Sequence, residues 1–203
     1  MPATLNTNAL CSLSDVKESL GIVSSDTTKD NIIIRKINQA SQQISNYCER
    51  IFQAADYVEQ YNGSNIDQLV LNQRPLNSVT KLEYRGTTLN QDNWYTLDNS
   101  YFHTDSTAGI LKLLFAAEGR WDKWRVTYNA GYSTIPSDLA EACVLLACYY
   151  YQNKDGLIQI MEKQEGQRRI KYYPGIQSFN ELMQQLGIGQ VIDGYANWPL
   201  KVE

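Results

Sequence analysis

The chain carries one histidine, five prolines and four cysteines among 203 residues, and no apolar run approaches the roughly 18 to 20 residues that span a bilayer. The single histidine, His103 in the stretch YFHTDST, lies among turn residues with no nucleophile motif beside it, which leaves little for histidine-based acid–base chemistry. The P-loop, the GxSxG elbow, HExxH and GxGxxG are all missing. Cys11, Cys48, Cys143 and Cys148 show no CxxC spacing, so they read as small buried apolar residues in a reducing compartment rather than as zinc ligands. Asp and Glu are plentiful, yet no carboxylate pair stands out. No catalytic, metal-binding or cofactor-binding residue is therefore assigned. The opening residues MPATLNTNAL lack the basic start and apolar centre of a secretory signal, and the expected compartment is cytosol-like.

What is present reads as globular: apolar residues make up 43% of the chain and charged ones 20%, a balance that argues against wholesale disorder. The formal charge of -4 offers no global attraction to nucleic acid or anionic lipid, so any such contact must come from a local patch.

Residues 12–22 predict a short helix, with Ser12 as N-cap, Asp15 at the third helical position and Gly21 as the stop. A long helix is predicted from about Thr28 to Phe52, where Ile33, Ile37, Ala40, Ile44, Tyr47 and Ile51 recur at steps of four and three. From Tyr57 the period changes to two. YVEQY and DQLVL flank an Asn62-Gly63 turn, and VTKLEY, WYTL, ILKLLF and WRVTY follow as strands. Pro75 marks a strand entry or a bend. Trp124 and Tyr128, at alternate strand positions, read as sheet core rather than as a carbohydrate-binding face.

Pro136 is expected as the first residue of a closing helix, on which Leu139, Ala142, Cys143, Leu146 and Tyr150 share a face complementary to the long helix. Beyond Gln152 the periodicity is lost, and an extended arm is expected. Ser178 and Glu181 then form a capping box ahead of a short amphipathic helix over 178–187. RRIKYY, residues 168–173, is the most basic and aromatic run in the chain.

The fold class is thus α+β: a small helical bundle of short, long and closing helices with an inserted antiparallel β domain and a C-terminal arm. The expected division is a discontinuous helical domain (1–56 and 130–153), a β-sheet or barrel domain (57–129) and an arm (154–203).

In that order the segments LSDVKESLGI, INQASQQISNYCERIF, LVLNQRPLNSVTKLEYRGTTLNQDNWYTLD and VTYNAGYSTIPSDLAEACVLLACYYYQN resemble the tailed-bacteriophage head–tail connector (adaptor) family over residues 12–153. The resemblance implies a non-enzymatic subunit of the virion neck, assembled in the host cytoplasm with no membrane or cofactor. Such subunits form a ring, typically twelve-fold, that joins the portal to the stopper or tail-completion protein while DNA passes through the lumen without sequence-specific binding. Residues 156–190 are expected to dock on the portal through Arg168, Arg169, Ile170, Lys171, Tyr172, Tyr173, Phe179, Leu182 and Leu186. Tyr149 and Tyr151 are expected at the contact between subunits. The alternatives are a DNA-contacting neck or packaging accessory, with RRIKYY on the phosphates, and more distantly a glycan-binding tail module.

Overall fold

The computed structural model describes residues 2–62, 67–86, 93–114, 121–153, 162–165, 168–171 and 178–196. The chain divides into a helical unit, residues 1–49 with 136–203, and a β unit, residues 50–135.

In the helical unit, α1 (Leu13–Ser19) opens with the capping box its sequence predicts: the Ser12 hydroxyl accepts from the Asp15 amide, and the Asp15 carboxylate accepts from the Ser12 amide. Gly21 ends it at φ 67°. The long helix α2 spans Asp30–Cys48, shorter at both ends than the apolar pattern suggests, because Glu49 turns into the left-handed region at φ 52°. Ile51 therefore falls outside it. Ile33, Ile37, Ala40 and Ile44 are fully buried, as are Leu139, Cys143 and Leu146 of the closing helix α3 (Ser137–Gln152), and α2 packs on α3. Pro136 stands at the N-cap of α3, one position before the expected one. Lys17, almost wholly buried on α1, bonds to Asp30 at the start of α2 (2.7 Å) and to the Ser24 carbonyl (3.1 Å).

An N-terminal strap runs along α2. The Ala3 and Asn6 amides donate to the Asn31 and Asn38 side-chain oxygens (2.7 and 2.9 Å), and the Leu10 amide donates to the Ser41 hydroxyl (3.0 Å). Asn31, Asn38 and Ser41 stand seven and three residues apart, so they share one face of α2. The strap is invisible to hydropathy because it is held by backbone and amide groups.

The C-terminal arm is where expectation and structure part. The capped helix forms as α4 (Phe179–Gln185), with Ser178 and Glu181 in their reciprocal bonds and Gly187 at φ 71°. A further helix, α5 (Gly189–Tyr195), follows it and packs on α2 and α3. Leu182, Met183, Ile188, Ile192 and Ala196 are buried. Tyr47 of α2 donates to Asp193 (2.6 Å) and meets the Phe179 ring edge-on at 5.4 Å, while Tyr195 donates to Asp138 of α3 (2.8 Å). Residues 178–196 are thus part of the helical unit, not a helix on a tether. Seven-residue helices carry too few apolar positions to reveal a partner face that lies some 140 residues away in the chain.

In the β unit, β1 (Ala55–Asn62), β3 (Leu76–Gly86), β4 (Tyr95–Leu97) and β7 (Trp121–Ala130) form a sheet in the order β1-β7-β3-β4; β2 (Gln68–Val70), β5 (Phe102–Asp105) and β6 (Ile110–Leu113) form another in the order β2-β6-β5. All pairings are antiparallel. β1 does not pair with β2: β1 pairs with β7 over eight residues and β2 with β6, while Gly63 of the expected Asn62-Gly63 turn lies outside the described residues. Strand β5 occupies a stretch read from sequence as a connection, and His103 sits exposed on it rather than in a loop.

Leu82, Leu111, Trp124, Val126 and Tyr128 are completely buried in the core of this unit, which settles the two aromatics of β7 as core. The Glu59 carboxylate accepts from the hydroxyls of Tyr128 (2.7 Å) and Tyr61 and from the Asn72 amide (3.2 Å). Burial pushes both phenols well above their ordinary range.

The ends of the unit are tied to each other. Tyr132 donates to the Phe52 carbonyl (2.7 Å), Ala54 to the Tyr132 carbonyl (3.0 Å) and Gly131 to the Pro75 carbonyl (2.9 Å), beside a cis Arg74–Pro75 bond. These bonds carry the unit out to Arg50 and Ile135, beyond the expected limits 57 and 129.

A third pairing lies within the expected arm, where β8 (Glu162–Glu165) and β9 (Arg168–Lys171) form an antiparallel hairpin with Glu165 opposite Arg168.

Gly131 has φ 109°, and a Cβ there would lie 2.6 Å from the Gln53 carbonyl oxygen. Neither backbone can move without breaking the tie, so Gly131→Ala is expected to cost about 3 kcal/mol in urea denaturation. A loss below about 0.5 kcal/mol would show that the close approach is not a constraint.

Candidate functional site

Surfaces, not a cleft, carry the candidate residues. Among the described residues no three or more His, Cys, Asp or Glu are grouped to hold a metal ion, and no helix is long and apolar enough to cross a membrane. The thiols of Cys11 and Cys143 stand 3.4 Å apart in the helical core, with the Ser41 hydroxyl 3.4 Å from Cys143. All four cysteines are buried and none is in a disulfide, and the contact with Cys143, together with burial, holds Cys11 protonated.

The end of α3 presents three half-buried tyrosines in a row. Tyr150 turns inward: its hydroxyl donates to Gln43 of α2, and burial pushes it up to about 12. Tyr149 meets the Tyr150 ring edge-on at 5.9 Å. It follows Glu141 and Leu145 at steps of four, and Leu145 is 37% exposed, so the three make one outward stripe on α3. Tyr151, also half-buried, falls on another side of the helix.

Of the residues expected to dock on the portal, Arg168, Arg169, Ile170 and Lys171 form β9, while Tyr172 and Tyr173 lie outside the described residues. Leu182 is buried within its own unit, Phe179 packs on Tyr47 and Leu186 is half-buried. The apolar side of α4 is therefore spent inside the protein, and a free docking face over 178–187 is not what the chain builds.

One surface went unnoticed in the sequence. On the side of the four-stranded sheet away from the β-unit core, β3 places Lys81, Glu83 and Arg85, and β7 places Lys123 and Arg125, with Glu83 opposite Arg125 and Arg85 opposite Lys123. Glu83 is only 3% exposed. One carboxylate oxygen accepts from Arg125 Nε (2.6 Å) and the other contacts Lys81 Nζ (2.6 Å). The guanidinium carbons of Arg125 and Arg85 lie 4.5 and 5.7 Å from the centre of the Trp94 ring, a cation–π arrangement that fixes both heads. The visible trace in sequence is the alternation KxExR and KxR, which acquires meaning only once the two strands are known to be neighbours.

The bond from Arg125 chiefly, and then Lys81, holds the Glu83 carboxyl below the ordinary glutamate value of 4.5, against the opposing effect of burial. A carboxyl that is more acidic in the folded state adds stability at neutral pH, and that stability is lost as pH falls through the ordinary range and then the folded value. The gap in melting temperature between wild type and Glu83→Gln should therefore narrow as pH is lowered from about 6 to about 3. A gap that stays constant would remove Glu83 as the titrating group.

Residues 9–159 match the model of a family described as head completion protein. No curated protein matches the chain. Among solved structures, the fold is similar to a chain in the neck of an empty gene transfer agent particle computed with C6 symmetry, at a TM-score of 0.60 and 15% identity, over 100% of this chain and 97% of that one. It is also similar to a chain in the neck of the native particle computed with C12 symmetry (TM-score 0.55, 14% identity) and to one in the virion of the native particle (TM-score 0.55, 14% identity), each with the same coverage. At such identities the likeness is one of fold. The family match takes in α1, both packing helices and the whole β unit, and with it, in accord with the head–tail connector resemblance in the sequence, the chain belongs to the head completion protein family.

Proposed function

We propose that the protein is a structural, non-enzymatic subunit of the virion neck that assembles side by side into a closed ring, joins the portal to the stopper or tail-completion protein, and continues the channel through which DNA passes. The observation that carries this reading is the family match over residues 9–159, together with a full-length fold likeness to neck chains of particles treated with C6 and C12 symmetry. A cyclic ring needs two unlike side surfaces on every subunit. The outward stripe Glu141, Leu145 and Tyr149 supplies one of them, and Tyr151, on another side of α3, is assigned to the other. Twelve copies is the number we assign.

Tyr149→Ala and Tyr151→Ala are each expected to leave the monomer's melting temperature within about 2 °C of wild type and to weaken assembly on portal-bearing heads. Tyr150→Phe, which loses the bond to Gln43, should instead cost the monomer about 1 kcal/mol. If the Tyr149 and Tyr151 variants melt early and assemble normally, these residues belong to the fold and the contact lies elsewhere.

The β8–β9 hairpin is assigned to the portal. It stands between α3 and α4, two helices fixed in one unit, so it can be exchanged without disturbing either. Replacing residues 156–176 by a Gly/Ser segment of equal length should preserve the melt and abolish capture by purified portal rings. Unchanged capture would overturn the assignment.

A further inference from the structure

We propose that the outer face of the four-stranded sheet, around Lys81, Arg85, Lys123 and Arg125, is a contact surface for the phosphate backbone of duplex DNA. This deepens the neck reading, and rests on it only for the source of the DNA.

Charge is the first argument. The whole chain is acidic, with 22 carboxylate residues against 18 basic ones, yet here, among the residues whose side chains are described, four cations surround a single carboxylate on two adjacent strands. Asp56 is on the same side but at the far end of the sheet, opposite Asn129 and bonded to it (2.7 Å). The cationic end is thus a local reversal of the chain's sign, which is what attraction to a polyanion requires of an acidic protein.

Glu83 does not cancel this face; it organises it. The carboxylate lies beneath the cations, each oxygen held by one of them, and so sets the spacing of Lys81 and Arg125 before any ligand arrives. Trp94 fixes the two guanidinium heads. Side chains already ordered lose less freedom on binding, and a net excess of positive charge remains.

The polarity of the patch decides between DNA and an acidic protein. Protein–protein contacts are depleted of charge at their centre and built around apolar and aromatic anchors. Here the centre is charged, and its aromatic ring lies against Arg85 and Arg125; Val58, 62% exposed on β1, stands opposite Thr127, away from the Lys123 end. DNA-binding surfaces are more polar and much more positive than protein-binding ones. A contact made to phosphates alone carries no sequence preference.

The test is fluorescence polarisation of a mixed-sequence duplex of about 30 base pairs, long enough to cover the face, titrated with the full chain. Four phosphate contacts predict that affinity falls about 150-fold between roughly 50 and 200 mM salt. In the Lys81→Gln/Lys123→Gln double variant the log–log salt slope should become shallower by about 2, with at least a tenfold loss at low salt. Arg125 and Glu83 stay paired in that variant; should it melt early all the same, the single Lys81→Gln change, with its shallower slope of about 1, carries the test. Arg168→Gln/Arg169→Gln should leave binding unchanged. The proposal is overturned by absence of duplex binding at low salt, by an unaltered slope in both lysine variants, or by loss confined to the Arg168/Arg169 variant. It is equally overturned if poly-glutamate competes as well as the duplex at equal charge, since the face then fits an acidic protein. Ring assembly on portal-bearing heads is scored separately: failure of wild type there sinks the neck reading, whereas failure of duplex binding alone sinks only this inference.

Discussion

The seam between α2 and α3 is the contact on which the helical unit depends. Ile33, Ile37, Ala40 and Ile44 meet Leu139, Ala142, Cys143 and Leu146, all of them buried to 2% exposure or less, and burying apolar surface of this kind contributes on the order of 2 kcal/mol per large side chain. The two stripes belong to segments that lie on either side of the entire β unit in sequence. Neither helix can bury its stripe alone, so the insertion has to return the chain. Everything else in the unit is added to this pair: the N-terminal strap along α2 through Asn31, Asn38 and Ser41, α1 through the Lys17–Asp30 pair, and α4 with α5 through Tyr47 and Asp138.

The β unit solves the complementary problem of closing on itself. Its ends are tied by backbone bonds of Tyr132 with Phe52 and Ala54 and of Gly131 with Pro75, and Gly131 passes the Gln53 carbonyl at a separation only glycine tolerates. Within it, two glutamates work on opposite sides of one sheet. Glu59 anchors the tyrosines on the core side, while Glu83 gathers cations on the outer side. A carboxylate withdrawn from water is costly unless both oxygens are occupied, and both are in the buried Glu83 and the half-buried Glu59.

In the proposed ring, the unlike lateral surfaces and separate ends that closure requires are spread over separate elements: the α3 stripe, the β8–β9 hairpin and the cationic sheet face. In the chain, the β8–β9 hairpin falls between α3 and α4, both of which belong to the helical unit.

What the sequence determined by itself was everything governed by short-range periodicity and end chemistry. Heptad-like spacing fixed α2 and α3 and the stripes that meet, Ser12 and Ser178 fixed two caps, period-two patterning marked most of the strands, and Pro75 marked the entry to β3. Tertiary structure decided the rest. β1 found its partner in the distant β7, over eight residues of ladder, and not in β2, the next strand in the chain, while α5 packed on both α2 and α3, its Ile192 carbonyl accepting from Cys48, 144 residues away. The cationic face arose the same way: KxExR and KxR are unremarkable alternations until β3 and β7 become neighbours and Trp94 is laid across their arginines. Local propensity acts over a few residues, whereas the contacts that place these groups join segments far apart in the chain.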